Sequence, residues 1–326
     1  MRHLFIILCI GLHAAVPVSA QTYVRITMPS TKEFHVSNIM EPVLIEGECS
    51  SDIQSIAIEY RFTPQSNNAN ARALELVDTY VLRKFVPGSG TFLYRIFPSL
   101  GNLGCGTNEY TVVGMTSEGT QVLETVIVYS SFYFGEKAKP VVYLYPLKET
   151  RVGVNVRPLA GVSVSDPPLG SGWNVIAYPD GRITNLGDGK DYPYLFWESP
   201  DESLPFARQE GFIVPKNQVE SFFREKLVIL GLNAQEINDF VEFWIEALVD
   251  YPFYQFYFLP MSEIDRAAPL DISPAPDTVI RVFFDYRGLE EWIAVPAQSL
   301  ISPIRRGFTV RSEERRVGKE CRYRWS

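Results

Sequence analysis

The sequence predicts a mainly β protein with a second, α+β part. An immunoglobulin-like β-sandwich comes first, followed by an α+β domain in which a helical hairpin covers a sheet. Short runs of alternating apolar and polar residues recur through residues 21–133. Two amphipathic helical patterns follow each other within residues 217–248, with strand-like runs on both sides. Alternation with a period of two indicates strands, and the helical pair between strands is typical of an α+β domain.

The first domain is predicted from strand-like runs that are separated by turn residues, such as "QSIAIEYRF" and "GTFLYRIFP". In the first of these runs, the apolar residues Ile56, Ile58 and Tyr60 fall on one face. Roughly seven such strands over ~100 residues are typical of an immunoglobulin-like sandwich. A short link at 134–139 then leads to the second domain, residues 140–310.

The two helices of the second domain have recognisable starts. Asn217 and Glu220 have the spacing of a capping box, and Asn233 and Glu236 repeat it at the second helix. Apolar residues of the second helix recur at helical spacing: Ile237, Phe240, Val241, Trp244, Ile245 and Leu248. The helices are separated only by a short connection at Gly231, which predicts an antiparallel hairpin.

The N-terminal residues 1–20 have the three parts of a secretory signal peptide. Arg2 precedes an apolar stretch at 4–12, and Val18-Ser19-Ala20 offers a cleavage site before Gln21. The protein is therefore predicted to be secreted, periplasmic or on the cell surface. No later run is long and apolar enough to cross a membrane, so no membrane span is expected after signal cleavage.

The C-terminal run "RSEERRVGKECRYRWS", residues 311–326, departs from the rest of the chain in composition. Its basic residues follow no helical or strand period. One possible coding sequence for it resembles a common sequencing adapter. We therefore expect residues 311–326 to be an adapter artefact, the alternative being a genuine basic tail. The full chain has 30 lysines and arginines against 38 acidic residues, a net charge of −8. That acidic balance, together with exclusion of the tail, argues against a nucleic-acid partner.

Cysteine and histidine limit the possible chemistry. Cys49 and Cys105 are the cysteines of residues 21–310, and in an oxidising compartment such a pair is expected to form a disulfide. The alternative is two unpaired buried thiols. His35 is the histidine of the same range, which disfavours a histidine-rich zinc site or a Ser-His-Asp triad. No cofactor is predicted.

Several motifs of the second domain resemble an uncharacterised family of exported bacterial proteins. They are "KPVVYLYP" (139–146), "GWNVIAYPDG" (172–181), "YPYLFWES" (192–199), "GLNAQEINDFVEFW" (231–244), "APLDISPAPDTVIRVFF" (268–284) and "RRGFTV" (305–310). The resemblance covers nearly the whole domain and implies no activity. Family members continue past "GFTV" with an aromatic and glycine ending, from which this chain departs.

Three groups of residues are candidates for chemistry. Glu198, with Asp201 or Asp180 as a second carboxylate, has the residue types of a glycosidase pair, provided that the carboxylates lie about 5–10 Å apart. The alternative is a strand-end carboxylate bonded to backbone amides or to an arginine. Exposed aromatic rings can stack on sugars, and the candidates for such a platform are Trp173, Tyr178 and Tyr194. The alternative places these rings in the core.

The third group consists of oxygen ligands for a cation in the turn "NLGDGKDY": Asn185, Asp188 and Asp191. Calcium prefers six to eight oxygen ligands, but the spacing does not match an EF-hand, and a plain polar turn is the alternative.

These observations favour a non-catalytic, extracellular or cell-envelope binding or adhesion protein with a carbohydrate or protein ligand. A glycan hydrolase that uses Glu198 and a structural surface protein are the alternatives.

Overall fold

The computed structural model describes residues 21–36, 42–64, 75–131, 140–158, 161–199 and 206–315. The predicted signal peptide, the link at 134–139, Asp201 and residues 316–326 lie outside these ranges. The described residues form a β-rich α+β fold with several sheets and few helices. The coarse fold class expected from the alternating pattern is thereby confirmed.

The described part of the first unit consists of strands and a 3-10 turn at Pro98–Leu100. Its described strands are β1 (Val24–Met28), β2 (Glu33–Val36), β3 (Val43–Cys49), β4 (Ile53–Pro64), β5 (Glu75–Val81), β6 (Thr91–Ile96), β7 (Gly106–Thr116) and β8 (Gln121–Ser130). One sheet has the order β1-β3-β6, and the other has the order β2-β8-β7-β4-β5. β6 and β5 are therefore edge strands, each at the end of its sheet.

The two sheets of the first unit enclose one hydrophobic core. Ile56, Ile58 and Tyr60 of β4 are buried in it, because alternate residues of a strand share a face. The ring of Tyr60 stacks on that of Tyr110 from β7, with centroids 4.9 Å apart. Tyr110 also donates its hydroxyl to the carbonyl of Asn102 at 2.6 Å, which ties the β6–β7 connection to the core.

The second unit contains two further sheets. Its described strands are β9 (Val141–Tyr145), β10 (Thr150–Val156), β11 (Val164–Asp166), β12 (Trp173–Ala177), β13 (Ile183–Asn185), β14 (Asp191–Tyr192), β15 (Leu195–Glu198), β16 (Phe212–Pro215), β17 (Phe253–Phe258), β18 (Leu270–Ser273), β19 (Thr278–Leu289) and β20 (Thr309–Arg315). The five-stranded sheet has the order β14-β13-β12-β10-β18, and the seven-stranded sheet has the order β11-β15-β9-β20-β19-β17-β16.

Three α-helices lie in the described part of this unit: α1 (Val219–Ile229), α2 (Ala234–Ala247) and α3 (Met261–Ala267). The capping box predicted for α2 is confirmed, since Asn233 and Glu236 exchange both hydrogen bonds. The cap predicted for α1 is wrong. That helix begins after Gln218 with no side-chain cap, because residues 216–218 form a 3-10 turn that leads directly into it.

The helical pair covers one half of the seven-stranded sheet. Phe223 of α1 and Phe240 and Trp244 of α2 pack against Phe256 of β17 and Phe284 of β19. The other half of the same sheet shares a core with the five-stranded sheet. No helix in the described part of the chain is long and apolar enough to cross a bilayer.

β20 carries the first residues of the C-terminal run that the sequence sets apart. It lies between β9 and β19, so residues 311–315 extend a central strand. Arg311 is fully buried there and is paired with Glu313, and its guanidinium carbon lies 4.8 Å from the ring centre of Tyr143. Within the described residues, its Nε and Nη1 have no hydrogen-bond partner. This placement does not test the expected adapter origin, which stays a prediction.

The Arg311–Glu313 pair is costly in a central strand, because burial removes water from both charges and two donors of the guanidinium have no partner among the described residues. We expect Arg311→Leu combined with Glu313→Val to stabilise the protein by about 1–4 kcal/mol, because apolar side chains remove the desolvation cost of both charges. Glu313→Val alone is expected to destabilise by about 3–5 kcal/mol, since it leaves a buried guanidinium without its carboxylate. Urea unfolding midpoints measure both changes.

The control is the exposed Arg224–Glu220 pair on α1, whose joint replacement by alanine is expected to change stability by less than about 1 kcal/mol. If the double change at 311 and 313 lowered the midpoint as far as Glu313→Val alone, this account of β20 would be wrong.

Candidate functional site

The candidate site is a cleft between the two units, which we call the interdomain cleft. It lies along the edge strands β5 and β6, and its volume is about 710 Å³. The first unit contributes side chains from β3, β5, β6 and the turn that joins β5 to β6. The second unit contributes residues 287–291, at the end of β19 and just beyond it.

Two neighbouring tyrosines line the inner part of the interdomain cleft. Tyr80 of β5 is half-buried and Tyr94 of β6 is buried, and their ring centres lie 5.8 Å apart. Asn102 donates a hydrogen bond from Nδ2 to the Tyr94 hydroxyl at 2.8 Å. The Tyr80 hydroxyl donates to Oε1 of Glu291 at 3.2 Å. Burial raises the pKa of Tyr80 to about 12, and the negative charge of Glu291 adds to the rise.

Arg287 of β19 joins the two units at the cleft. Its Nη1 donates to Oδ2 of Asp78 on β5 at 2.9 Å, and its Nε donates to Oε1 of Gln255 at 3.0 Å. Gln255 is fully buried on β17 and is itself fixed by the carbonyls of Arg208 and Glu210. The guanidinium is therefore fixed through Nε to the second unit, and its Nη1 forms the ion pair with the first unit.

Glu290 forms a second charged contact across the interdomain cleft. Its Oε1 lies 2.7 Å from Nη1 of Arg95 on β6, and its Oε2 lies 3.2 Å from Nζ of Lys84 in the turn after β5. Burial alone raises the pKa of Glu290, but the hydrogen bonds from Lys84 and Arg95 outweigh it and hold the pKa below its usual range.

The rim of the cleft exposes apolar side chains. Leu93 of β6 is 46% exposed and Val86 is 63% exposed, and both line the cleft. Trp292 follows the lining segment, is 54% exposed, and its carbonyl accepts a hydrogen bond from Nη1 of Arg83 at 3.4 Å. The cleft therefore combines two inner tyrosines, charged contacts between the units and exposed apolar side chains at its rim.

The carboxylates predicted for hydrolysis lie elsewhere. Glu198 ends β15 and is 7% exposed, and its carbonyl accepts from the Ser163 amide at 2.8 Å. Asp180 is exposed in the turn between β12 and β13, where Oδ1 accepts from the Arg182 amide at 3.0 Å. Neither residue lines the interdomain cleft. Because Asp201 is outside the described residues, the proposed pairing with Glu198 stays a prediction.

The predicted aromatic platform is wrong for Trp173 and untested for the two tyrosines. Trp173 is only 2% exposed, and its Nε1 donates to the Pro167 carbonyl at 2.7 Å. It faces the core because Val175 and Ala177, which share its face of β12, are buried as well. Tyr178 is half-buried under the Arg182 guanidinium, 3.7 Å from ring centre to carbon.

The third platform candidate, Tyr194, meets Tyr143 edge to face, with ring centres 5.6 Å apart. Neither Tyr194 nor Tyr178 lines the interdomain cleft. Any ligand that stacks on these rings therefore binds outside it.

The predicted cation ligands Asn185, Asp188 and Asp191 are held by local hydrogen bonds. Oδ1 of Asp188 accepts from Nδ2 of Asn185 at 3.0 Å, and Oδ2 accepts from the Tyr192 hydroxyl at 2.6 Å. Oδ1 of Asp191 accepts from Thr184. Bonds from Tyr192 to Asp188, and from Thr184 to Asp191, lower the pKa of each carboxyl group. Among the described residues, no group of three or more His, Cys, Asp or Glu side chains is arranged to hold a metal ion.

The predicted Cys49–Cys105 disulfide is wrong, since the two residues are separate buried thiols. The register of the strands gives the reason. Cys49 precedes the turn into Ile53, at one end of β4, whereas Cys105 precedes Gly106, which pairs with Pro64 at the other end. At ~3.3 Å per residue, the ends of β4 are roughly 35 Å apart, and a disulfide needs Cα atoms within about 7 Å.

The sequence did not identify the residues of the interdomain cleft. Asp78 and Arg287 are 209 positions apart, and no local pattern signals their contact. One signal was available in the sequence "GLEEW" (288–292) at the end of β19, where two acids and a tryptophan follow a strongly apolar strand. Polar and aromatic side chains just beyond a buried strand are not needed for the packing of that strand, so they are candidates for a surface site.

No family model matches the chain. The chain is similar to the "Uncharacterized protein in bglA 3'region" of Butyrivibrio fibrisolvens, with 39% identity over 67 residues. The match covers 20% of this chain and 68% of the relative.

The thiol assignment predicts a specific result in peptide mapping. We expect Cys49 and Cys105 to be alkylated separately when the unreduced protein is unfolded, and to resist alkylation while it is folded, because both are buried. Burial, reinforced by the nearby Asp52, also raises the pKa of the Cys49 thiol and disfavours the reactive thiolate. Recovery of a peptide pair joined by Cys49 and Cys105 would contradict the register argument.

The lowered pKa of Glu290 predicts a pH dependence. A carboxyl group with a lowered folded-state pKa stabilises the fold above its usual pKa of 4.5, and this stabilisation disappears as the pH falls through the lowered value. We expect Glu290→Gln to cost about 1 kcal/mol at pH 7. The difference in unfolding free energy between Glu290→Gln and the unchanged protein should shrink as the pH falls below 4.5 and vanish below the lowered pKa. Urea unfolding at several pH values from 7 to 3 measures it.

Glu118→Gln serves as the control, since Glu118 is exposed in the turn between β7 and β8. It should show little difference at any pH. A cost for Glu290→Gln that stayed constant down to pH 3 would mean that the ion pairs with Lys84 and Arg95 do not stabilise the fold.

Proposed function

Because the chain belongs to the family of the uncharacterised Butyrivibrio fibrisolvens protein, whose name states no activity, we propose a function from the site itself. The protein is an exported, non-catalytic binding or adhesion protein, either extracellular or in the cell envelope. It takes a carbohydrate or protein ligand in the interdomain cleft.

The composition and size of the cleft carry this proposal. Ligand sites are concave, about 300–1,000 Å³, and combine apolar and aromatic walls with a few polar groups that fix orientation. The interdomain cleft has about 710 Å³ and combines Tyr80, Tyr94 and Leu93 with the charged contacts of Arg287 and Glu290. Its position between two units is a common location for such sites.

An immunoglobulin-like first unit fits the same role. The strand order pairs a three-stranded sheet with a five-stranded one, and β2 runs parallel to β8. The hydrogen bond from Tyr110 on β7 back to the Asn102 carbonyl is similar to the tyrosine corner of that fold. Export rests on the signal-peptide pattern of residues 1–20.

Hydrolysis receives less support from the site. Glu198 does not line the interdomain cleft, and two of the carboxylates that do, Asp78 and Glu290, are engaged by arginines and a lysine. The lowered pKa of Glu290 makes it unsuited to supply the protonated acid that glycoside cleavage requires.

The test is ligand retention with matched variants. The full chain is incubated with arrays of cell-wall and plant polysaccharides and of peptides, beside Leu93→Asp in the cleft and Leu123→Asp on β8. Both leucines are exposed, at 46% and 61%, but only Leu93 lines the interdomain cleft. We expect at least one class to be retained by the unchanged protein and by Leu123→Asp, and to be lost about tenfold or more with Leu93→Asp, which places a charge in the site.

Retention that Leu93→Asp leaves unchanged would place the binding site elsewhere. Retention of neither class would favour the structural role. Released reducing ends that disappear with Glu198→Gln would favour hydrolysis.

A further inference from the structure

The open edge of β6 is the most specific feature of the interdomain cleft. In the pairing of β3 with β6, Ile45 lies opposite Tyr94, and Glu46 lies opposite Leu93. Beyond the strands, the Cys49 amide donates to the Gly90 carbonyl at 2.9 Å, which continues the same ladder. Antiparallel pairs alternate between hydrogen-bonded and non-hydrogen-bonded positions. The even-numbered residues of β6 therefore bond to β3, and the odd-numbered ones turn their backbone groups outward.

Side chains of the same unit occupy two of these three outward positions. Nδ2 of Asn102 donates to the Arg95 carbonyl at 2.8 Å, and the Ser89 hydroxyl donates to the Thr91 carbonyl at 3.1 Å. Leu93, between them, has no hydrogen bond from outside its sheet in the described part of the chain. Its amide and carbonyl point away from β3, and Leu93 lines the cleft.

The charges beside Leu93 indicate the kind of side chain that fits there. Glu46 is the cross-strand neighbour of Leu93, and Glu48 is that of Thr91, so both carboxylates lie on the outer face of the same sheet. No ion pair within the described residues involves Glu46 or Glu48. The chain as a whole carries a net charge of −8, which attracts basic partners over a longer range.

We propose that the ligand of the interdomain cleft is an extended peptide segment of a partner protein, which adds as a strand to β6 at Leu93 and alternates basic with apolar side chains. This inference rests on the proposed function. It names the ligand class and the way it is bound.

The geometry of strand addition gives the alternation. A peptide residue opposite Leu93 exchanges two backbone hydrogen bonds with it and projects on the outer face, toward Glu46 two strand spacings away, about 10 Å. Only a long lysine or arginine side chain spans that distance. The peptide residues on either side project inward beside Phe92 and Tyr94, which are buried on the inner face of β6 and line the cleft.

The hydrogen bonds on either side of Leu93 limit how many backbone hydrogen bonds the peptide can form with β6. Because Asn102 and Ser89 already bond to the carbonyls of Arg95 and Thr91, the peptide exchanges both backbone hydrogen bonds only opposite Leu93 and is held elsewhere chiefly by its side chains. Main-chain hydrogen bonds then give part of the affinity, and alternate side chains give the specificity.

The test is selection from a phage-displayed library of random 12-residue peptides on the full chain. We compare the unchanged protein with Leu93→Pro and Leu93→Val. Proline removes the outward N–H of Leu93 without removing a bond to β3, and is tolerated on edge strands. Valine keeps both the N–H and the apolar surface. Circular dichroism and unfolding midpoints verify that both variants remain folded.

We expect enriched peptides with alternating basic and apolar residues. Selected peptides are then synthesised, and their affinities are measured by fluorescence anisotropy. Leu93→Pro should weaken binding about tenfold or more, and Leu93→Val less than about threefold. Glu46→Gln should weaken the basic peptides, and Glu118→Gln, in the β7–β8 turn, should not.

Enrichment of peptides that bind Leu93→Pro as well as the unchanged protein would overturn strand addition. Failure to enrich any peptide would overturn the peptide inference. In that case, retention of a polysaccharide that is lost with Leu93→Asp would leave the proposed binding function standing, and absence of both would remove it too.

Discussion

The ion pair between Arg287 and Asp78 is the contact on which the arrangement of the site depends. Arg287 lies at the end of β19, and its Nε is fixed by the buried Gln255 before Nη1 reaches the first unit. A charge that is already oriented loses little side-chain freedom when it meets its partner. Both side chains of the pair are largely sheltered, at 13% and 27% exposure, so solvent screens the attraction less than at an open surface.

The position of Arg287 is in turn fixed by the packing of β19 within the second unit. One face of the strand carries Phe284 and Tyr286 into the core beneath the helical pair, and the opposite face carries Phe283 toward α3. A strand packed on both faces cannot shift by one residue without exposing apolar side chains and burying polar ones. Its register therefore sets the position of residues 287–291, and with them one wall of the interdomain cleft.

The sequence predicted local structure better than long-range contacts. Alternation in β4 and the capping box of α2 depend on neighbouring residues, and the structure agrees with both. The Cys49–Cys105 pairing failed because spacing along the chain does not reveal that the cysteines lie at opposite ends of β4. The prediction of an exposed ring at Trp173 was wrong because the sequence pattern of β12 does not distinguish its buried face from its exposed face. The cleft joins β5 and β6 to a distant strand end, so no window of sequence contained it.

The two side chains that close the edge of β6 also limit how the protein associates with itself. An open strand edge is a template on which further copies can stack in register, and such growth requires several consecutive free backbone groups. Asn102 and Ser89 occupy the outward carbonyls of Arg95 and Thr91, so consecutive carbonyls along this edge are not all open to another copy. On the proposed strand addition, this arrangement favours pairing with a single guest strand over the in-register stacking of further copies.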